Sequence, residues 1–527
     1  MDKKTDIPSA RRKVGSSGVE IPEVGIPEAD AASAGVNEAD KSSASAPPNA
    51  LQASAPLADS PKSKTRPVTF VLVLASFVSS FAGSSLNVSI PTIGAEFHVP
   101  AAMLGWLITS FTICALALAL PIGRLGDLSS RRTILMIGIG LFTVANISSA
   151  FAPNIQVMIG LRVLQGIGGA CMFSTNQAIM ADAYPPQIRG RMLGITISAV
   201  YFGLACGPVV GGLLTAHIGW RAVFISMAVM GALTFTVAFG RLPQNSSHAE
   251  SGKLVSRLDI PGLILYIIGT SILAWGLNNL TTSLIAIILA VLGATLIATF
   301  IWWESRASSP LLNLALFKNN WSFALSNLAA FFNFTATFAV NYLLSIYLQQ
   351  VKGFGADFAG LVMITAPLTQ ATITIFAGRI SDKVSPFRLA SIGCACCSLT
   401  LVSFIFVSPE SSLIHIFGNL IMMGIGFGLF ASPNTNAVMS LVPRSSLGLA
   451  SAFLGTMRSF GQVISMAIIV VLMRMFLQDQ PINLVAPSDL AFVMRICFII
   501  FSCICMLGVF TSLQHKGKRP VASNSDE

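Results

Sequence analysis

Charge is scarce in this chain: of 527 residues only 10% are Asp, Glu, Lys or Arg, while 54% are hydrophobic. Water-soluble globular proteins carry about 25% charged residues, so a soluble core is excluded. Acids are fewer than bases, 22 against 32, and their placement says more than their number. Asp127, Asp182, Asp259, Glu304, Asp357, Asp382 and Asp489 all fall at the ends of apolar segments, none in the middle. The five histidines stand in loops, tails or segment ends. With no nucleophile constellation, metal-ligand set or phosphate-binding loop, an enzyme or an ATP-driven pump has nothing to work with. No cofactor and no metal is expected. The nine cysteines lie inside apolar stretches, which argues for small packing residues over a disulfide framework.

What the chain has instead is hydrocarbon length. About 20 apolar residues cross a bilayer, and fourteen such segments follow one another, the first over 68–90 and the last over 489–513. An even count puts both termini on one side. Of the 32 basic residues, 26 fall on the side of the amino tail. Three (Arg221, Lys352, Arg474) fall on the other, and three (Arg162, Arg458, Arg495) lie within segments. Cytoplasmic loops collect Lys and Arg, so a cell-membrane protein with both termini in the cytoplasm is expected. The net charge of +10 then reads as topology, not as a nucleic-acid surface. Residues 1–66 are rich in Ser, Ala, Pro and Glu, the composition of a disordered tail and not of a secretory leader.

The chain also repeats itself. Gly166-Ile167-Gly168 returns as Gly424-Ile425-Gly426, and Phe202-Gly203 as Phe460-Gly461, at an offset of 258. Gly123-Arg124-Leu125-Gly126-Asp127 returns as Gly378-Arg379-Ile380-Ser381-Asp382, offset by 255. Parallel repeats of this kind mark transporter folds. The offset spans eight segments, so two six-helix halves are separated by two extra helices. The expected organisation is a tail over 1–66, a six-helix bundle over 67–241, a loop over 242–257 and two linking helices over 258–304. A loop over 305–320, a second bundle over 321–513 and a tail over 514–527 complete it.

Polar residues inside the segments are candidate site residues, because polar groups in hydrocarbon must be satisfied or face water. Arg162, Gln165, Gly169, Asn176 and Met180 share one face of the fourth segment, and Arg458, Gln462 and Ser465 one face of the thirteenth. Both stripes are expected to line a central cavity; the alternative for each arginine is a structural hydrogen bond to neighbouring carbonyls. Arg495, near a segment end, reads as snorkelling to the interface. On the ninth segment Asn327, Phe331, Phe334, Phe338, Asn341 and Ser345 fall on one stripe, facing either the cavity or lipid and core. Gly203, Gly207, Pro208, Gly211 and Gly212 give the fifth segment a flat, kinked face, read either as close packing or as a sliding interface between halves.

Together these stretches resemble the major facilitator superfamily over residues 67–513. Gly123 to Arg132 is similar to the family's loop motif between helices two and three, with Leu128 where a basic residue is usual and Ser130 where a glycine is usual. Arg162, Gln165 and Gly166 match its fourth-helix motif, and the Gly203–Gly212 run matches its fifth-helix antiporter motif. Fourteen helices with this set resemble the drug:proton antiporter branch. The resemblance implies an all-α membrane fold that exports small organic molecules by alternating access in exchange for protons, as a monomer. It implies a latch at the inner face, with Asp127 facing the helix that starts near Ser445 and Arg131 pairing with Asp182. Gly123, Gly378 and Asp382 complete that latch, which would hold the outward-facing state; the plain reading of these charges is solvated topology. The first-helix Asp common in the family is absent here, with Ala82 in its place before Asn87-Val88-Ser89-Ile90-Pro91. A cavity with two arginines and no acid is expected to favour neutral or anionic amphipathic cargo. An uptake permease of the same fold and a membrane sensor signalling through the tail are the competing readings.

Overall fold

The structure, a computed structural model, describes residues 62–184, 186–242, 259–307, 311, 317, 320–381, 384–442, 447–477 and 480–513. Nearly all of them are helical. The first half comprises α1 (Lys62–Phe97), α2 (Ala101–Leu128), α3 (Arg131–Ala150), α4 (Ile155–Ala183), α5 (Pro186–His217) and α6 (Trp220–Arg241). Two further helices, α7 (Ile260–Asn278) and α8 (Leu284–Glu304), link it to the second half. There α9 (Trp321–Thr337) and α10 (Val340–Ile346) share one span, which finishes in a π-helical turn over Tyr347–Val351. Next come α11 (Ala356–Met363) and α12 (Thr365–Ser381), again one span, then α13 (Pro386–Ile405), α14 (Leu413–Ser440), α15 (Leu447–Leu477) and α16 (Pro487–Leu513). Among the described residues fourteen helical spans are long and apolar enough to cross a membrane, as the hydropathy pattern requires.

Local chemistry sets the helix ends and breaks. Ser130, Asn154, Asp259, Ser283 and Asn320 each accept a hydrogen bond from the backbone N–H three residues on, satisfying one of the orphan donors of a first turn. The break between α11 and α12 follows from Pro367, which has no N–H for the Met363 carbonyl. The break after α9 is filled by Ser465 of α15, whose Oγ accepts from the Ala339 N–H at 3.2 Å.

The two halves repeat contact by contact. A Cβ built on Gly203 of α5 would lie 2.6 Å from the Phe77 carbonyl of α1; one on Gly461 of α15 would lie 2.7 Å from the Phe331 carbonyl of α9. Gly168 of α4 crosses α3 at the Gly138 carbonyl, and Gly426 of α14 crosses α13 at the Gly393 carbonyl. Gly166 lies against Phe111 and Cys114 of α2, Gly424 against Ala366 and Thr369 of α12. The sequence repeat is therefore a repeat of crossings: glycines recur where backbones must approach, because hydrocarbon offers no hydrophobic drive and packing has to come from close fit.

The linking pair sits on the seam between the halves. α7 packs on both α2 and α15, Ala274 joining Ile113, Leu116 and Val463 in one apolar cluster. The Tyr266 hydroxyl donates to the Leu116 carbonyl of α2 at 3.0 Å. α8 packs chiefly on α7; Gly276 and Gly293 bring their backbones together. Its outer face, including Leu284, Ile288 and Val291, is exposed.

Both ends of the described chain lie at one end of the helices, called here the near end. At the far end the halves share one apolar core, in which Val88, Ile93, Leu104 and Trp220 of the first half join Tyr342, Leu348, Met473 and Ile482 of the second. The core at the near end of the first half, built on Val71, Leu72, Leu135 and Met180, stays within that half. The loops at the far end also meet in an antiparallel bridge between Pro100 and Pro481.

Candidate functional site

The polar stripe on α4 does not face an open chamber. Arg162 is 2% exposed. Its Nε donates to the Leu107 carbonyl of α2 at 2.7 Å, its Nη1 donates to Gln165 Oε1, and the guanidinium lies 4.7 Å over the Phe111 ring. Gln165 Nε2 passes the chain to Asn146 Oδ1 of α3 at 2.6 Å, and Asn146 Nδ2 ends it on the Phe142 carbonyl at 2.7 Å. Asn176 ties the same helix to α1, donating to Ser76 Oγ at 2.5 Å and the Leu72 carbonyl at 3.0 Å. The structural alternative weighed for Arg162 is the arrangement present: a cation in low dielectric persists only where its N–H groups are bonded, and here α2 supplies an acceptor.

Arg458 stands differently. It is half-buried on α15, with Nη2 donating to Thr435 Oγ1 of α14 at 2.7 Å and the guanidinium 5.3 Å over Phe334 of α9. Phe334 in turn meets Phe427 edge-on at 5.2 Å. Phe331, Phe338, Asn341 and Gln462 are half-buried too, while Asn327 and Ser345 are buried. The ninth-span stripe therefore divides, its ends packed and its middle partly open.

Between the halves lies a cavity of about 50 Å³. Ser84 and Asn87 of α1 and Leu204 and Pro208 of α5 line one side; Asn341, Met363, Pro367 and Gln370 line the other. Every lining residue is uncharged. Ser84 and Gln370 were not among the residues singled out from sequence. The signal was present, since Gln370 is a side-chain amide in the middle of an apolar segment, subject to the same argument as Arg162.

The far end is closed above this cavity by side chains of the second half bonded to the backbone of the first. Ser345 Oγ donates to the Asn87 carbonyl at 2.6 Å, and Gln349 Nε2 donates to the Val88 carbonyl at 2.9 Å and to Ser345 Oγ at 3.1 Å. Pro91, inside α1, makes this possible. It has no N–H, so the carbonyl of Asn87 four residues earlier lacks its helical donor. The π-helical turn at Tyr347–Val351 carries Gln349. At the far-end rim of the first half, Glu96 accepts from Arg221 at 2.7 and 3.1 Å and from Trp220 Nε1 at 2.6 Å.

The glycine face of α5 serves mostly its own half. Gly203, Gly207 and Gly211 lie against Phe77, Ser84 and Ser85 of α1. Toward its far end it also meets the second half: Gly212 faces the Ala356 carbonyl, and Gly360 of α11 lies against the Pro208 carbonyl. The close-packing alternative accounts for the first three glycines, while α5 meets the second half on both α11 and α12. Of the expected latch, Gly123 has open space around it, Gly378 lies near Ser432, and Arg131 starts α3. The side chains of Asp127 and Asp182, and all of Asp382, lie outside the described residues.

A sequence profile of the Major Facilitator Superfamily matches residues 72–466. The chain belongs to that superfamily. Among its curated relatives is the riboflavin transporter RibZ of Clostridioides difficile, 28% identical over 395 residues, 74% of this chain and 84% of the relative. The multidrug resistance protein Stp of Mycobacterium tuberculosis is 28% identical over 389 residues, 73% of this chain and 71% of the relative. The multidrug efflux pump LfrA of Mycolicibacterium smegmatis is 26% identical over 402 residues, 75% and 78% of the two chains. The fold is that of a solved peptide transporter, POT (TM-score 0.63, 13% identity, covering 86% of this chain and 97% of that one). It is also that of a bacterial homologue of the lysosomal transporter Spinster (TM-score 0.61, 15% identity, 86% and 97%). This superfamily member is a multi-pass membrane transporter and not an enzyme.

Proposed function

We propose that the protein is a secondary active exporter of small organic molecules, exchanging them for protons by rocking its two six-helix halves, 67–241 and 321–513, about a midplane site. The observation that carries this reading is the uncharged polar cavity between repeat-related halves, sealed at one end by bonds from one half to the other. With both termini cytoplasmic, the far end is the extracellular one, and the conformation is closed to the outside. The latch of Gly123, Asp127, Arg131, Asp182, Gly378 and Asp382 at the near end belongs to the opposite, outward-facing state. Arg458, Gln462, Phe331, Phe334 and Asn341 form the substrate surface. Arg162, Gln165 and Asn176 hold the wall behind it, and Gly203, Gly207, Pro208, Gly211 and Gly212 seat α5 on α1 and, at its last turns, on the second half. The names of Stp and LfrA, a multidrug resistance protein and a multidrug efflux pump, favour export; that of RibZ favours a small organic cargo. The working unit is a monomer in the cell membrane.

Everted membrane vesicles carrying the full chain test the proposal. An acid-inside gradient should drive accumulation of substrate, a protonophore should abolish it, and substrate addition should release protons. Accumulation only with the gradient reversed would identify an uptake permease instead. Deleting residues 1–60 should leave flux unchanged; loss of all function on that deletion would favour a sensor.

A further inference from the structure

The cavity between the halves has a chemical bias. Asn341 of α10 and Gln370 of α12 line it from the second half, across from Ser84 and Asn87 of α1. The α1 pair is engaged: Asn87 Nδ2 donates to the Gly83 carbonyl at 3.3 Å, and the one Ser84 hydroxyl proton has the carbonyls of Ser80, Phe81 and Gly203 within reach at 3.2–3.3 Å. Among the described residues the side-chain amides of Asn341 and Gln370 have no hydrogen-bond partner, and both residues are half-buried. Each presents one acceptor oxygen and two N–H donors. Unmet polar groups at membrane depth are costly, so their partners come from whatever fills the cavity. A volume of about 50 Å³ holds a few waters or one functional group. It is far smaller than the ~300 Å³ or more of a drug-sized pocket.

We infer that the substrate offers this cavity an uncharged group with both a donor and an acceptor, such as a carboxamide, lactam or imide edge, held by Asn341 and Gln370. This rests on the transport reading and goes beyond it by naming the class. A charged group would be desolvated here with no counter-ion, a far heavier cost than for a neutral amide. The two arginines do not relieve it: Arg162 is bonded into the first half, and Arg458, beside Thr435 and Phe334, is not among the residues that line the cavity. A purely apolar group would leave both amides unmet, and sites built to hydrogen-bond reject ligands that lack the matching group. The expectation of neutral or anionic cargo therefore narrows to neutral.

Three tritiated probes with one triphenylmethyl body test the inference: 2,2,2-triphenylacetamide, 2,2,2-triphenylacetate and 2,2,2-triphenylethylammonium. Equilibrium dialysis against the purified full chain should show saturable binding of the amide, tighter than either ion by about tenfold or more. Asn341→Leu and Gln370→Leu should each weaken the amide by about 5- to 100-fold. Asn341→Asp should reverse the order of amide and ammonium. That reversal is a ratio within one sample, so it does not depend on the fraction of protein folded. Ions binding as tightly as the amide, no saturable amide binding, or an unchanged order in N341D would each overturn the inference. Amide binding without pH-driven flux would instead sink the exporter reading and leave the class preference standing.

Discussion

Removing the two donors that the second half presents to α1 should open the far end. In the closed form Ser345 Oγ lies 2.6 Å from the Asn87 carbonyl and Gln349 Nε2 lies 2.9 Å from the Val88 carbonyl. A neutral hydrogen bond contributes about 0.5–1.5 kcal/mol net, and a buried acceptor left unmet costs about 1–3 kcal/mol. Once the halves part, water meets the same carbonyls, so the bonds favour the closed state. Two of them give a bias of about 1–3 kcal/mol, or about 5- to 150-fold in the closed-to-open ratio. The assay is a distance distribution between nitroxide-bearing unnatural residues at Ile218 and Leu484, which are 73% and 70% exposed at the far end. The S345A/Q349L protein should gain a longer-distance population, and substrate should become accessible from that side. Pro91→Ala supplies the missing N–H to the Asn87 carbonyl, so Ser345→Ala should have a smaller effect in the P91A background. Unchanged distances in S345A/Q349L, or strictly additive effects of P91A and S345A, would refute the idea that a proline-freed carbonyl holds this gate.

Arg162→Ala strips the donor from the Leu107 carbonyl and from Gln165, and should lower stability by about 1–3 kcal/mol per group left unmet. Thermal unfolding of the purified protein should therefore fall, and Arg162→Lys should not restore it, because an ammonium cannot fork to both acceptors. Gly203→Ala and Gly461→Ala each drive a methyl into a backbone carbonyl of the neighbouring helix and should cost about 1–3 kcal/mol apiece. Gly83→Ala, with nothing within 4 Å, should be neutral or slightly stabilising in the same melts. Breaking the exposed Glu96–Arg221 pair with Arg221→Ala should cost about 1 kcal/mol or less, and less still in high salt.

Much of the fold was legible because its determinants are local. Hydropathy over about 20 residues sets a span, and the fourteen spans follow from it. The glycines recurring at offsets of 255 and 258 announced two related halves, since only a small residue permits the crossings seen at Gly168 and Gly426. Breaks within the ninth and tenth spans were not foreseen. The second has a sequence cause in Pro367; the first rests on Ser465, more than a hundred residues away.

The orientation of the polar faces is what the tertiary structure alone decided. Helical spacing puts Arg162, Gln165 and Asn176 on one face, as it does Arg458 and Gln462, and gives both stripes the same outlook. Assembly separates them: α4 is enclosed by α1, α2 and α3, which offer carbonyls and amides to its stripe. Arg458 on α15 remains half-buried beside Phe334. The repeat could not distinguish them either, because Leu420 and Val200 stand at the equivalent positions. In a bilayer, lipid and protein interior are equally apolar. Sequence therefore determined which segments cross and which residues share a face, whereas the neighbours brought together by folding determined whether that face is sealed in protein or left partly open.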